Sequence, residues 1–343
     1  MQPTSSRPVR AVMASAARLV GLPRSRAKAK GPISNPTATI TSEKPPAHAN
    51  VNREWQLPDN PDFAHPDHVV PPPSYPSAEN LIIVCCHAIF LPDADAHDFP
   101  LRSPHYEANW LLAPFQKSDA KANKIGEHET FLAHVKAGID ALTVGTDGEH
   151  PPSSLLVLSG GATKRPESLK TEARSYYHAA LAEELAEGHK GGGRAHRLYT
   201  KGYILLEEQA TDSFQNLLFS ILLFRKATGN YPKQVRVITH AFKAKRFLEL
   251  HAPAIRWPKD HIQIQGIDPI MTIDALSSTL RGEEESGYAA WKADPMGTGD
   301  FLGGKRQLRG WDASMATNHF SYLEDAIKEL FQGTASDDLP WIE

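Results

Sequence analysis

Cysteine is almost missing from this chain. Its 343 residues hold two, Cys85 and Cys86, side by side. Neighbours on a strand point to opposite faces, so these two do not form an ordinary disulfide. Such sparing use of cysteine suits a reducing compartment. No Cys-x-x-Cys occurs, which excludes a structural zinc site of that kind. No His-Glu-x-x-His occurs either, and His87, Glu207, His240 and Asp268 lack compact ligand spacing, so no metal is expected. The Gly-x-Ser-x-Gly elbow of a serine hydrolase is absent. A Cys86–His87 nucleophile pair is disfavoured because strand neighbours face apart.

Charge of one sign is lacking too. The formal net charge is −3, which argues against a strongly basic nucleic-acid binder. No apolar run nears the ~20 residues needed to cross a bilayer. The longest, Leu217–Phe224, follows Thr211-Asp-Ser and reads as a buried helix. Hydrophobic residues make up only 41%, and 27 prolines point to a large irregular fraction.

That fraction is concentrated at the start. Residues 1–78 are rich in Pro, Ser, Ala and Asn and read as a disordered tail. Eight basic residues and one acid, Glu43, give residues 1–50 a charge of +7 and leave −10 for the remainder. An Arg-rich, acid-poor start is also what a mitochondrial transit peptide has. Pro3, Pro8 and Pro23 leave little room for its amphipathic helix, so a cytoplasmic location is preferred. Removing residues 1–78 is expected to leave the cooperative thermal unfolding transition intact. Loss of that transition would show that the tail is part of the fold.

From residue 79 to about 335 strands and helices alternate. Strands are predicted at Leu81–Cys86, Leu155–Ser159, Tyr203–Leu206, Val235–Thr239 and Ile262–Gly266. Helices are predicted at Gly126–Leu142, Glu167–Leu185, Asp212–Ala227 and Phe242–Leu250, with a last one near Phe320–Phe331. This alternation predicts an α/β fold: a doubly wound, mostly parallel sheet with helices on both faces. The connection Ala88–Asn123 is long enough to be a lid or an edge decoration. Residues 271–343 read as a mixed tail.

Ligands of such sheets bind beyond the carboxyl ends of the strands. The residues there are His87, Ser159-Gly160-Gly161, Glu207, Thr239-His240 and Asp268. Ser159-Gly-Gly is neither a Gly-x-Gly-x-x-Gly nor a P-loop, yet its backbone N–H groups offer an anion cradle. The competing reading is a tight strand-to-helix turn. Asp212, Ser213 and Asn216 open a helix, and capping accounts for only one of them. His240, Lys243 and Arg246 stand three apart at the start of another helix and suit a phosphate or carboxylate, or else form a solvated basic face.

In this order the motifs resemble the DUF218 (YdcF-like, SanA-like) domain family, and more closely its fungal branch. The residues that carry the resemblance are Leu156-Val-Leu-Ser-Gly-Gly, Thr171-Glu-Ala, Glu207-x-x-Ala-x-Asp-Ser-x-Gln-Asn216 and Val237-Ile-Thr-x-x-x-Lys-x-x-Arg246. Cys86-His-Ala-Ile, Trp110-Leu-Leu-Ala-Pro-Phe-Gln, Gly266-Ile-Asp-Pro and Asp294-Pro-Met-Gly add to it, over roughly residues 80–312. The resemblance implies a Rossmann-like fold with a polar pocket and a nucleotide-like ligand such as S-adenosylmethionine. It places Glu172, Glu207, Ser213, Asn216 and Arg246 in motif positions. Bacterial members usually have His where this chain has Lys243, so a mechanism through that His does not transfer. The expectation is a small-molecule enzyme acting on an anionic ligand held by Ser159-Gly-Gly and Arg246, with Glu207 and His240 as catalytic residues and Glu207 as the candidate acid or base. The alternative is a non-catalytic binder using the same pocket. Oligomeric state stays open.

Overall fold

The computed structural model describes residues 77–92, 101–143, 153–165, 167–312, 314 and 322–342. Residues 1–76 lie outside them, and so does almost all of the predicted tail.

Five strands form one parallel sheet: β1 (Asn80–Cys85), β4 (Ser154–Ser159), β5 (Ile204–Glu207), β6 (Gln234–Thr239) and β7 (Ile262–Gly266). Their order is β5-β4-β1-β6-β7. All four pairings are parallel, so every strand ends on the same edge. The chain moves outward from β1 to β4 and β5, then returns to the other side of β1. The crossover direction therefore reverses between β1 and β6, which is where this fold opens a crevice at the carboxyl edge.

Strand alternation sorts the core into two layers. Ile82, Val84 and Cys86 face α1 (His128–Thr143), α2 (Glu172–Ala186) and α3 (Gly193–Thr200). Leu81, Ile83 and Cys85 face α4 (Ser213–Thr228) and the helical segment 241–254. The two cysteines are free and on opposite faces. Burial pushes the Cys85 thiol up to about 12 and the Cys86 thiol well above its ordinary value, so neither is a thiolate at neutral pH.

Three expectations need correction. α2 starts at Glu172, not Glu167, because Thr171 caps it by accepting from Arg174 N. Residues 271–343 are not a tail. Trp291, Met296, Leu302, Leu323, Ile327, Leu330, Leu339 and Trp341 join the core of the α4 layer, so the packed body runs past residue 335. The last helix is shorter than predicted, Asp325–Phe331, with 315–321 outside the described residues.

The long connection after β1 is folded where it is described. β2 (Ile89–Phe90) and β3 (Trp110–Leu111) pair antiparallel, and Phe90, Leu101 and Trp110 are buried. Gln116 Nε2 donates to His87 O at 3.1 Å, which ties this connection to the carboxyl edge of the sheet.

Candidate functional site

The strand-end residues divide into two groups. The first is closed on itself. Gly160 N and Gly161 N donate to Glu207 O at 2.9 Å and Ala210 O at 2.7 Å. The expected anion cradle at Ser159–Gly161 is therefore corrected, since its N–H groups are already spent on the chain. Glycine is needed here for space. A Cβ on Gly160 would stand 2.8 Å from Glu172 Cβ and 3.0 Å from Cys86 Cβ, and one on Gly161 3.0 Å from Ala210 O.

Ser159 is fully buried and donates to Glu207 Oε2 at 2.6 Å, with Asn216 Oδ1 at 3.2 Å. Glu207 also accepts from Gln209 N at 2.7 Å and Ala210 N at 3.0 Å. Burial pushes its carboxyl up to about 7, against the pull of those donors. Glu172 is buried as well, accepts from Thr163 Oγ1, and has its pKa raised by desolvation. Glu207 thus stitches the turn between β5 and α4. As a base open to a ligand it is corrected, because its oxygens point into the loop.

Asp212 caps α4 by accepting from Gln215 N and also pairs with Arg306 Nε at 2.6 Å. Ser213 Oγ and His251 Nε2 are 2.8 Å apart, which holds α4 to the segment 241–254. Asp268 is 3.4 Å from Phe242 N and steadies the turn after β6. These three, expected to bind ligand, hold elements together.

The second group lies at the β1–β6 crevice. His87 Nε2 is 3.2 Å from Thr239 Oγ1, and its Nδ1 is 3.3 Å from Lys243 Nζ. Its backbone N donates to the buried Tyr176 hydroxyl at 3.1 Å. The His240 ring lies 4.7 Å from that of His87 and 5.0 Å from that of His134. His240 is 1% exposed, and neither ring nitrogen has a hydrogen-bond partner among the described residues. The Glu127 carboxylate stands 3.8 Å from its Nε2. Burial, then the Lys243 charge, holds His87 and His240 well below the usual histidine range, so both are neutral at pH 7. His134 is lowered by burial to about 4, and its Nε2 bonds Ile267 O at 2.9 Å.

Two cations complete this group. Lys243 is half-buried, and desolvation with repulsion from Arg246 lowers its ammonium to about 8. Arg246 is 9% exposed and pairs with Glu283 at 3.3 Å, while its Nε has no partner among the described residues. A solvated basic face is thus excluded for His240 and Arg246. Both sides of the Arg246–Glu283 pair begin π turns, Phe247–His251 and Glu283–Tyr288. Such turns recur at functional sites. Beside them a cleft of about 410 Å³ is lined by Phe242, Arg246, Leu280, Glu283 and Tyr288, among others.

His134, Glu127, Tyr176 and Glu283 were not singled out from sequence. The available signal was His134, a polar residue in phase with Phe131 and Val135 on the buried side of α1. Among the described residues no group of three or more His, Cys, Asp or Glu side chains has metal-holding geometry. No described helix is long and apolar enough to cross a membrane.

The chain is 28% identical over 216 residues to the uncharacterised protein YOR238W of Saccharomyces cerevisiae, covering 55% of this chain and 67% of that one. No family model matches the chain. No solved structure matches it.

Proposed function

We propose that this protein binds an anionic small molecule in the β1–β6 crevice, held by Lys243 and Arg246 against the His87–His240 pair. One observation carries the reading. Two poorly solvated cations sit at the strand-order reversal, beside imidazoles whose ring nitrogens are not all partnered. Desolvated cations without enough counter-charge are costly unless a ligand supplies it. A nucleotide-like ligand such as S-adenosylmethionine, and membership of the DUF218 family, come from the sequence resemblance; the strand order supports a nucleotide-type use of the fold. On the enzyme reading His240 is the proton-transfer group. The non-catalytic reading is favoured by Glu207, whose oxygens are occupied by the loop.

Calorimetric titration with inorganic phosphate, AMP and S-adenosylmethionine tests the proposal. Binding of at least one is expected, and absence of binding by all three overturns it. Arg246→Lys should weaken binding roughly ten- to a hundredfold, because an ammonium cannot reproduce a planar fork and a charge-assisted contact contributes about 1.5–3 kcal/mol. Equal affinity would remove Arg246 from the site. Recovery of the ligand unaltered after long incubation favours the binder; a changed mass favours the enzyme.

A further inference from the structure

We propose that Lys243 is a reactive amine that captures 2-oxo acids as an imine, with His87 as its proton partner and Arg246 as the carboxylate holder. This rests on the reading of the β1–β6 crevice as an anion site.

The lysines of this chain that have polar side-chain partners mostly meet carboxylates. Lys124 meets Glu127 at 3.0 Å, Lys233 meets Glu79 at 2.8 Å, Lys245 meets Glu284 at 3.3 Å and Lys328 meets Asp325 at 2.8 Å. Lys243 has no carboxylate in ion-pair range among the described residues. Its Nζ instead meets His87 Nδ1. With the other nitrogen of that ring, Nε2, placed to donate to Thr239 Oγ1, Nδ1 is left as the acceptor facing the amine. A lysine facing an imidazole can pass its proton on, whereas one in an ion pair is held as the ammonium.

The charges around Lys243 act in the same direction. Arg246, one helical turn on, opposes the ammonium, and desolvation opposes it more. His87, His134 and His240 face it as neutral rings. Glu283 and Glu127 favour the ammonium, but Glu283 is engaged by Arg246 and Glu127 by Lys124. Cys85 and Glu172 also lie within its field; burial keeps the Cys85 thiol protonated and raises the Glu172 carboxyl above its ordinary value. The amine, lowered to about 8, is therefore about one-tenth free at pH 7 and about half free at pH 8. Desolvation beside a second cation is one of the ways a nucleophilic lysine is activated.

The step balances without an oxidant or reductant. His87 Nδ1 takes one proton from the ammonium. The freed lone pair attacks the carbonyl carbon, and the C=O π electrons move to oxygen. That oxygen leaves as water with two protons, one returned by His87 and one from nitrogen. The product is an iminium that keeps one N–H. Arg246 faces the adjoining carboxylate with its unpartnered Nε.

The test treats the full chain with pyruvate and sodium cyanoborohydride at pH 8, then maps reduced adducts by mass spectrometry. Lys245 is the internal reference, two residues away and half-exposed. Lys243 should be labelled at least about tenfold faster, since an ordinary lysine titrates near 10.4 and is almost wholly protonated at that pH. His87→Asn should slow labelling at Lys243 and leave Lys245 unchanged. Lys243→Arg should remove the adduct; where that variant fails to fold, the wild-type ratio decides alone. Labelling of Lys243 no faster than Lys245 overturns the inference. If phosphate, AMP or S-adenosylmethionine still binds by calorimetry in that case, the anion-site reading survives; if none binds, both fall.

Discussion

Gly266→Ala is expected to lose about 3 kcal/mol of stability in urea titration, and with it anion binding at the crevice. Gly266 ends β7, opposite Thr239 of β6. A Cβ there would stand 2.4 Å from Ala241 Cα, 2.5 Å from its Cβ and 3.0 Å from its N. None of these atoms belongs to a side chain that can swing away. Either β7 parts from β6, or the turn Ala241–Lys243 lifts. The first breaks Ile267 N to Thr239 O, and the second carries Lys243 away from His87. Overpacking costs about 1–3 kcal/mol, and a clash with backbone belongs at the top of that range. Gly304→Ala is the control. Nothing lies within 4 Å of its Cβ position, and it sits in the helix Asp300–Leu308, so it should gain about 0.5–1 kcal/mol. An unchanged urea midpoint for Gly266→Ala would show that the turn after β6 is loosely seated.

β1 and β4 were legible as continuous apolar runs buried on both faces, whereas β6 and β7 were legible by alternation, with Val235 and Ile262 buried and Arg236 and Gln263 exposed. α4 was legible for a similar reason: Asp212 caps it and Leu217–Phe224 fills the core. The C-terminal layer was not. Its helical stretch from Ile273 to Ala293 contains the π turn Glu283–Tyr288, which shifts the phase of any 3.6-residue pattern and separates Trp291 from the residues before it. The site was half legible. Position at a strand end follows from alternation, so His87, Glu207 and His240 were correctly located along one edge. Whether such a residue faces a ligand or its own loop depends on bonds between distant segments. Nothing near Ser159 announces that Glu207 and Asn216 will occupy it, and nothing near Arg246 announces Glu283.

Glu207→Gln and His134→Gln are expected to change the pH dependence of stability in opposite directions, by about 3 kcal/mol each. Burial raises the Glu207 carboxyl from 4.5 to about 7. The folded chain therefore holds this proton where the unfolded chain has released it. The stabilisation is full below about pH 4.5 and is lost as pH rises through about 7. One pH unit of that interval is worth about 1.4 kcal/mol, which gives about 3 kcal/mol in all. His134 is lowered from 6.5 to about 4, so it stays neutral in the fold while the unfolded chain takes up a proton. Its contribution is present above about pH 6.5 and is lost as pH falls through about 4. Over the shared interval the two effects offset in the native protein, and single variants separate them. Glu207→Gln should gain on the native chain by about 3 kcal/mol as pH rises from 4.5 to 7. Its amide can still meet Ser159, and it has no proton to lose. His134→Gln retains a donor for Ile267 O and should instead fall behind the native chain over the same rise. Urea titrations at pH 4.5, 5.5 and 7 read both slopes. A Glu207→Gln curve parallel to the native one would mean that Glu207 ionises at an ordinary pH. The Ser159 hydroxyl would then be donating to a carboxylate throughout, and the turn between β5 and α4 would be held by a charged hydrogen bond rather than by one that titrates near neutrality.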